Sequence, residues 1–323
     1  MKPRKLKSGS WTVQVMVDGT RYSVTADTKS ECVNRANAIK ANPPEKKPRV
    51  LTWAQAIDMF IKNSENILSP STIKTYRSTA RNHYQDIMHK DITDPIIWQI
   101  EINKDAEKCG AKCVKNNWGL ITAVMNFHGI TPPKVRLPQV VRNERPFLDV
   151  EQAKILMNAV RDKKLEIPVL LMLNGLRRSE ALALKKADVD LKAGSLHVHG
   201  AVVASEGGFV HKDTNKNTSS NRVVPILIPR LEEVLKDAQD PLVRYAPESI
   251  AREINKVCAA NGLPRVSCHG LRHTMCSFGF GRVSELSLMK FGGWSTPETM
   301  RRIYTHISDR EKNADAEAIR CLF

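Results

Sequence analysis

Two arginine motifs in the C-terminal half of the chain could hold one phosphate group between them. Residues 175–180 read GLRRSE, which places Arg177 at a predicted helix start, two residues after a glycine. The guanidinium and the free backbone N–H groups of a helix start can face the same anion. Residues 269–273 read HGLRH, so His269 and Arg272 lie three residues apart on one helical face. Taken singly, each motif is common and does not identify a site.

Other side chains nearby supply the remaining parts of phosphoryl-transfer chemistry. Tyr304 lies ten residues after Trp294, in a run that reads RRIYTH. A polar turn between the two arginine motifs contains Lys212 and Lys216. Breaking a phosphodiester without a metal requires cations on the non-bridging oxygens, an in-line nucleophile and an acid for the leaving 5′-oxygen. The chain has a candidate for each of these parts.

The order and spacing of these motifs resemble those of the tyrosine recombinases, the phage integrase family. The family signature contains a G-L-R-x-S-E box, a lysine in a β-hairpin, an H-x-L-R-H box, a G-H or G-W pair and a terminal tyrosine before x-H. The chain has every part in this order between residues 175 and 306. Departures are few: Asn174 stands where threonine is usual, Trp294 where histidine is commoner, and Gly279 and Gly281 suggest a looser helix end.

The resemblance implies a role for each motif residue. Arg177 and Arg272 would clamp the phosphate with bidentate forks, and Tyr304 would be the nucleophile that forms a covalent 3′-phosphotyrosine. Because a tyrosine with a pKa near ~10 is a weak nucleophile, neighbouring cations and a base must assist it. His269 would transfer protons, and Trp294 would pack on the phosphate or donate its indole N–H to it. No metal or cofactor enters this scheme.

The lysine is chosen by its place in the family pattern. In the family, the hairpin lysine precedes an arginine and a Val-Pro strand, as in K-T-K-S-S-x-R-x-V-P. Residues 216–225 read KNTSSNRVVP and match this pattern. The resemblance therefore favours Lys216 as the general acid over Lys212, which would contact the DNA backbone. Glu180 would buttress the helix that carries Arg177.

The composition favours a polyanionic partner. The 323 residues contain 50 Lys and Arg against 34 Asp and Glu, a formal charge of +16, so nucleic acid is the leading candidate.

The sequence also indicates where the protein acts. The longest purely apolar run, Val169–Leu173, is far too short for a membrane span. The basic N-terminus is followed by no apolar segment, which argues against a secretory signal. Seven cysteines at irregular spacings favour a reducing compartment. We expect a cytoplasmic, nucleoid-associated protein of a bacterial host.

The first domain, residues 1–42, is predicted to be a small arm-type DNA-binding module of the β-β-(β)-α type. Residues 1–49 contain eleven Lys and Arg against four Asp and Glu, so they supply +7 of the +16. Alternating apolar residues predict a strand, and a Thr-x-x-Glu capping box predicts a helix start. The predicted elements are a strand over 11–17, a turn at 18–19, a second strand over 21–25 and a helix from about 29 to 41.

A proline-rich basic linker over 43–50 precedes a predicted all-α core-binding bundle over 51–130. Capping signals at Thr52 and Ser69-Pro70 predict two helix starts, and helical periodicity continues near 94–109 and 111–127. Residues 131–146 contain four prolines and are predicted to form a second linker.

The last domain, 147–323, is predicted to be a mixed α+β catalytic domain of the tyrosine-recombinase type, with a C-terminal tail. Residues 195–203, 208–210 and 222–226 predict a small central sheet. The resemblance suggests that the tail packs on a neighbouring subunit, and packing on its own domain is the alternative. Helices are expected near 151–161, 167–174, 178–186, 229–238, 249–261 and 270–279.

Two groups of residues could instead be interpreted as metal sites, which would be alternatives to the recombinase interpretation. Cys268, His269, His273 and Cys276 could face one way, but no second ligand pair accompanies them at zinc-finger spacing. Asp188 and Asp190 could be the carboxylates of a nuclease, but turn chemistry explains them. Cys109 and Cys113 have helical spacing and are interpreted as core packing.

The predicted function is site-specific recombination that integrates, and with a helper excises, a phage or mobile-element genome. The expected partners are double-stranded DNA at core and arm sites and three further copies in a tetramer, with a host bending protein and an excision factor as further candidates. The alternatives are a non-catalytic DNA-binding protein on a recombinase scaffold, a type IB-like topoisomerase or telomere resolvase, and a metal-dependent nuclease.

Overall fold

The computed structural model describes residues 2–17, 20–42, 51–141, 146–212, 221–279 and 282–298, together with 301 and 320. The chain divides into two compact units, one of residues 1–56 and 87–95 and the other of 57–86 and 96–323. These units do not coincide with the predicted domains, whose boundaries stay a prediction. The predicted linker 43–50 lies outside the described residues.

The N-terminal segment forms the predicted small α/β module. Its valines alternate along the strands, so that Val13, Val15 and Val24 are buried against Cys32 and Ala36 of the helix. An added short strand precedes the two predicted ones, and the predicted turn at 18–19 lies outside the described residues. The elements are β1 (Arg4–Lys5), β2 (Trp11–Val17), β3 (Thr20–Ala26) and α1 (Lys29–Ala41), with the antiparallel sheet order β1-β2-β3.

The next segment is helical, as predicted. The Thr52 and Gln55 side chains each bond the other residue's backbone N–H at 3.4 Å, the reciprocal pattern of a capping box. Phe60 packs against Tyr76 and Phe127, with ring centroids 5.8 and 5.5 Å apart, which joins three of the helices around one core. The helices are α2 (Trp53–Ser64), α3 (Pro70–Asn82), α4 (Pro95–Lys108) and α5 (Ala111–Phe127).

The C-terminal part packs helices around small antiparallel sheets, with a core that centres on the buried run Val169–Leu173. The helices are α6 (Val150–Val160), α7 (Glu166–Leu173), α8 (Arg178–Ala183), α9 (Pro229–Asp237), α10 (Ile250–Ala260), α11 (Cys268–Gly279) and α12 (Glu285–Gly292). The strands are β4 (Val189–Asp190), β5 (Ser195–Val198), β6 (Ala201–Ser205), β7 (Gly208–Lys212) and β8 (Arg222–Pro225).

The prediction of a single central sheet is wrong, because the strands form two separate sheets. The predicted strand over 195–203 is two strands, because the chain breaks after β5 and β6 joins a different sheet. One sheet has the order β4-β5-β8, and the other is the hairpin β6-β7. At the break, a Cβ on Gly200 would lie 3.0 Å from the Lys212 carbonyl oxygen. The close approach of these two backbones therefore requires the glycine.

Two helices also differ from expectation. Helix α8 ends at Ala183 rather than near 186, because Asp188 accepts a hydrogen bond from the Lys185 backbone N–H at 2.9 Å and starts a 3₁₀ turn. Helix α12 was not predicted. It begins after Ser284, whose hydroxyl accepts from the Ser287 N–H at 3.2 Å, and it ends at the left-handed Gly293. Among the described residues, none of the helices combines the length and apolar content that a membrane crossing requires.

Candidate functional site

Arg177 sits where the sequence predicts, at the residue before α8. Its backbone N–H donates to Glu180 Oε2 at 2.8 Å, and its Nη1 donates to Glu180 Oε1 at 2.5 Å. The Nη2 group donates to the Gly293 carbonyl at 2.8 Å. One third of the side chain remains exposed. Arg177 is thus held on one side while its guanidinium still reaches the surface.

Arg272 lies in α11 and is 1% exposed. Its Nη1 donates to the Gly175 carbonyl at 2.9 Å, and its Nη2 donates to the Gly292 carbonyl. The Cζ atom lies 4.5 Å from the ring centroid of the buried Trp294, a cation–π contact. Its buried Nε–H has no hydrogen-bond partner among the described residues. Because such a donor is costly to leave unbonded, this atom marks a place for an acceptor.

Arg222, at the start of β8, is a third arginine in the same cluster. Its Nη1 and Nη2 donate to the two carboxylate oxygens of Glu180 at 3.1 and 3.0 Å, which is a bidentate pair. Its Nε donates to the Phe291 carbonyl at 3.1 Å. In the sequence, Arg222 stands out only as the arginine that follows Lys216 in the family pattern.

The end of α12 joins the three arginines. The last carbonyl groups of a helix have no partner within the helix and carry partial negative charge. Here the consecutive carbonyls of Phe291, Gly292 and Gly293 accept from Arg222, Arg272 and Arg177, one each. The helix end therefore gathers cations from three distant parts of the chain.

The cluster has an excess of positive charge, since three guanidinium groups share the carboxylate of Glu180. Burial would raise the pKa of Glu180, but the hydrogen bonds and charge of Arg222, and then the charge of Arg177, lower it to about 2. Burial, and next the charge of Arg177, lower the pKa of Arg272 to about 9. A phosphate monoanion would relieve both the excess charge and the unbonded Nε–H.

The structure brings together three of the six predicted site residues. Arg177, Arg272 and Trp294 meet at the end of α12. His269 is half-buried in the first turn of α11, and its ring lies 4.3 Å from that of His273. Lys216 and Tyr304 lie outside the described residues. Lys212, which is described, ends β7. The catalytic roles of all six stay a prediction.

Asn174, which stands where the family usually has threonine, connects two elements of the cluster. It is fully buried, its Nδ2 donates to the Pro225 carbonyl at 3.0 Å, and its Oδ1 accepts from the Leu227 N–H at 2.7 Å. These bonds tie the end of α7 to the end of β8. The segment before Arg177 and the strand that begins with Arg222 are thereby fixed to each other.

The interpretation of Cys268, His269, His273 and Cys276 as residues without a metal stays a prediction. In the described part of the chain, one group of three ligand types converges, namely His83, Asp105 and Cys109. The Asp105 oxygens already interact with the His83 ring at 2.5 Å, the Tyr84 hydroxyl at 2.9 Å and the Asn117 amide at 2.8 Å. Since protein groups occupy both oxygens, the geometry favours a structural network rather than a metal site. Cys109 is half-buried rather than deep in the core.

A sequence profile of the phage integrase family matches residues 146–311, half of the chain and all of the described part of the arginine cluster. The chain belongs to this family. The match confirms the resemblance drawn from the motifs. The integrase of Staphylococcus phage L54a is 30% identical over 164 residues, 43% of this chain and 46% of that protein. Tyrosine recombinase XerA of Saccharolobus solfataricus is 27% identical over 256 residues, 73% of this chain and 82% of that protein.

Solved structures support the fold of this phage integrase family member. The Tn1549 transposon integrase in complex with transposon right end DNA has a TM-score of 0.62 and 17% identity, and the match covers 84% of this chain and 100% of that one. A lambda integrase tetramer bound to a Holliday junction has a TM-score of 0.58 and 14% identity, with 93% and 94% covered. The mixed α and β fold class is thus confirmed.

Proposed function

We propose that this protein is a site-specific DNA recombinase that cuts and rejoins DNA through a covalent 3′-phosphotyrosine. The observation that carries the proposal is the arginine cluster at the end of α12. Its three guanidinium groups share one carboxylate, and the buried Nε–H of Arg272 has no partner among the described residues. A DNA phosphate supplies the acceptor and the negative charge that this cluster needs.

In the proposed reaction, Arg177 and Arg272 bind the non-bridging oxygens of the scissile phosphate. The Tyr304 oxygen attacks the phosphorus in line, and the bond from phosphorus to the 5′-oxygen breaks. His269 takes the tyrosine proton, and Lys216 donates a proton to the leaving 5′-oxygen. Trp294 holds the Arg272 guanidinium against its ring and packs beside the phosphate.

Rejoining reverses these steps. A 5′-hydroxyl from another strand attacks the phosphotyrosine, the phosphorus–tyrosine bond breaks, and Tyr304 recovers its proton. Because one ester replaces another in each step, the bond energy is conserved, and the reaction needs neither ATP nor a metal.

The assembly on DNA belongs to the same proposal. The N-terminal module and the linker after it, which carry +7 over residues 1–49, would bind arm sites, while the helical and C-terminal parts bind the core site. A tetramer would bring two sites together, as in the lambda integrase tetramer on a Holliday junction. The biological outcome would be integration and excision of a phage or mobile-element genome in a bacterial cell, with a host bending protein and an excision factor as accessory partners.

The test is strand exchange between two duplexes that carry DNA flanking the gene of this protein, since mobile elements commonly keep their attachment site there. With purified protein, EDTA and no ATP, we expect junctions that join strands of the two duplexes, detected by sequencing. Relaxation of supercoiled DNA without such junctions would favour a topoisomerase. Tight binding without junctions or relaxation would favour a non-catalytic DNA-binding protein. Cleavage products that form without EDTA but not with it would favour a metal-dependent nuclease.

A further inference from the structure

The Arg222 guanidinium donates to both carboxylate oxygens of Glu180, yet the proposed reaction gives Arg222 no role. Its side chain is 7% exposed, and its Nε, Nη1 and Nη2 atoms already donate to the Phe291 carbonyl and the two Glu180 oxygens. We infer that Arg222 is a positioning residue, which holds the Glu180 carboxylate so that Arg177 and Arg272 stay available to the scissile phosphate. The inference rests on the proposed function and deepens it.

Glu180 is shared among all three arginines. Its Oε1 accepts from Arg177 Nη1 at 2.5 Å and from Arg222 Nη1 at 3.1 Å. Its Oε2 accepts from the Arg177 backbone N–H at 2.8 Å and from Arg222 Nη2 at 3.0 Å, and Arg272 Nη1 lies 3.8 Å away. Among the described residues, Arg222 and Arg177 thus each supply two short hydrogen bonds to this carboxylate, and both bonds from Arg222 come from its guanidinium.

Loss of Arg222 would redirect the other arginines. Glu180 is 2% exposed, and a buried carboxylate that loses its partner attracts the nearest remaining cation. Arg177 already bonds one oxygen, and Arg272 stands 3.8 Å from the other. Either would turn further towards Glu180 and withdraw N–H donors from the phosphate. The expected defect is therefore electrostatic and appears in the chemical step.

The residues around Arg222 hold its side chain and its strand in place. Gly293 has a φ of +62°, and a Cβ there would lie 2.9 to 3.0 Å from the Arg222 guanidinium. The Phe291 carbonyl fixes the Nε atom, and Asn174 holds Pro225 at the other end of the strand. Arg222 is thus fixed at its side chain and along its strand.

The experiment compares two substrates that differ in the charge of the scissile phosphate. In a methylphosphonate, a methyl group replaces one non-bridging oxygen, so the group is neutral and depends less on cations. Full-length Arg222→Gln and Arg177→Ala are measured on both substrates in single-turnover cleavage. We expect Arg177→Ala to lose about 10²-fold and Arg222→Gln about 10- to 100-fold on the phosphodiester. Both losses should shrink at least about fivefold on the methylphosphonate.

A second-site variant tests the sharing of Glu180 directly. In Arg222→Gln/Glu180→Gln the carboxylate that would capture Arg177 is gone. We expect this double variant to cleave the phosphodiester faster than Arg222→Gln alone, by about tenfold. A merely structural role predicts the opposite order, because two lost partners would disturb the fold more than one.

Arg230→Gln is the matched control, since Arg230 also binds both oxygens of a buried carboxylate, that of Glu166, at 2.7 and 3.3 Å. It should cleave both substrates within about twofold of wild type. If Arg222→Gln does not fold, Arg222→Lys takes its place, with folding checked by thermal unfolding. Equal losses for Arg222 variants on both substrates, without second-site recovery, would overturn the inference alone. A wild type that cleaves neither substrate would overturn the proposed function, and the inference with it.

Discussion

Replacing Arg272 by lysine should reduce the rate of DNA cleavage by about 10³-fold, although the substitution keeps the positive charge. The guanidinium bonds the carbonyls of Gly175 and Gly292 at once, lies 4.5 Å from the Trp294 ring centroid, and still has its Nε–H to donate. An ammonium group is a point charge on a flexible stem and cannot span both carbonyls while facing a phosphate. Single-turnover cleavage at saturating protein measures the effect on the chemical step.

Arg178→Lys is the control for this substitution. Arg178 is the next residue after Arg177, but it is exposed and donates to the Pro247 carbonyl at 3.2 Å. Its lysine variant should cleave within about twofold of wild type. An Arg272→Lys protein that cleaves as fast as Arg178→Lys would show that charge alone suffices, and it would contradict the bidentate role assigned to Arg272.

Gly293→Ala should reduce cleavage by about 10²-fold, because two constraints meet at this residue. Its φ of +62° lies in the left-handed region, which costs an alanine about 1 kcal/mol. The added Cβ would also lie 2.9 to 3.0 Å from the Arg222 guanidinium. Arg222 must then move, and the Gly293 carbonyl that accepts from Arg177 moves with the strained backbone. Cleavage rate and thermal unfolding are measured on the same preparation.

Gly262→Ala separates strain from the effect on the site. Gly262 follows α10 with a φ of +65°, nearly that of Gly293, but a Cβ there meets nothing within 4 Å. Both variants should lose about 1 kcal/mol of stability from the left-handed backbone. Gly293→Ala should lose more because Arg222 must also move, and only Gly293→Ala should lose cleavage. Equal cleavage by the two variants would mean that the contact between Gly293 and Arg222 has no part in the reaction.

The sequence predicts the parts of this site that depend on local order. Arg177 lies beside a helix start, and His269 and Arg272 share a helix, so short motifs are enough to place them. The N-terminal strands and helix are equally local, since alternation and a capping residue fix them within a few positions.

The contacts that assemble the cluster are not local, and the sequence does not reveal them. Arg222 reaches Glu180 across 42 residues and Phe291 across 69. Nothing in the alternation of β8 indicates that its first residue is buried against a helix end. A strand arginine beside a Val-Pro pair is ordinary when read alone, and its role follows only from the tertiary fold.

The secondary structure predicted from the sequence differs from the observed one at two places, for different reasons. The break between β5 and β6 depends on the approach of the Gly200 and Lys212 backbones, which alternation cannot predict. Helix α12, in contrast, had its signals in the sequence, with Ser284 as a capping residue and Gly293 as the left-handed stop. Gly279 and Gly281, which precede these signals, favour a loose helix end over a new helix, so the sequence prediction ends there.

The proposed recombinase reaction requires a covalent bond between Tyr304 and DNA, and this bond is detected by counting protein–DNA adducts. Purified protein is incubated in EDTA with the flanking DNA, stopped in detergent, and compared among wild type, Tyr304→Phe and the control Tyr245→Phe. Tyr245 lies in the same part of the chain but outside the motif. We predict adducts on the 3′-phosphate, with a free 5′-hydroxyl, in wild type and Tyr245→Phe and none in Tyr304→Phe. Adducts that survive in Tyr304→Phe, or none in wild type despite specific binding, would contradict the proposed phosphotyrosine reaction.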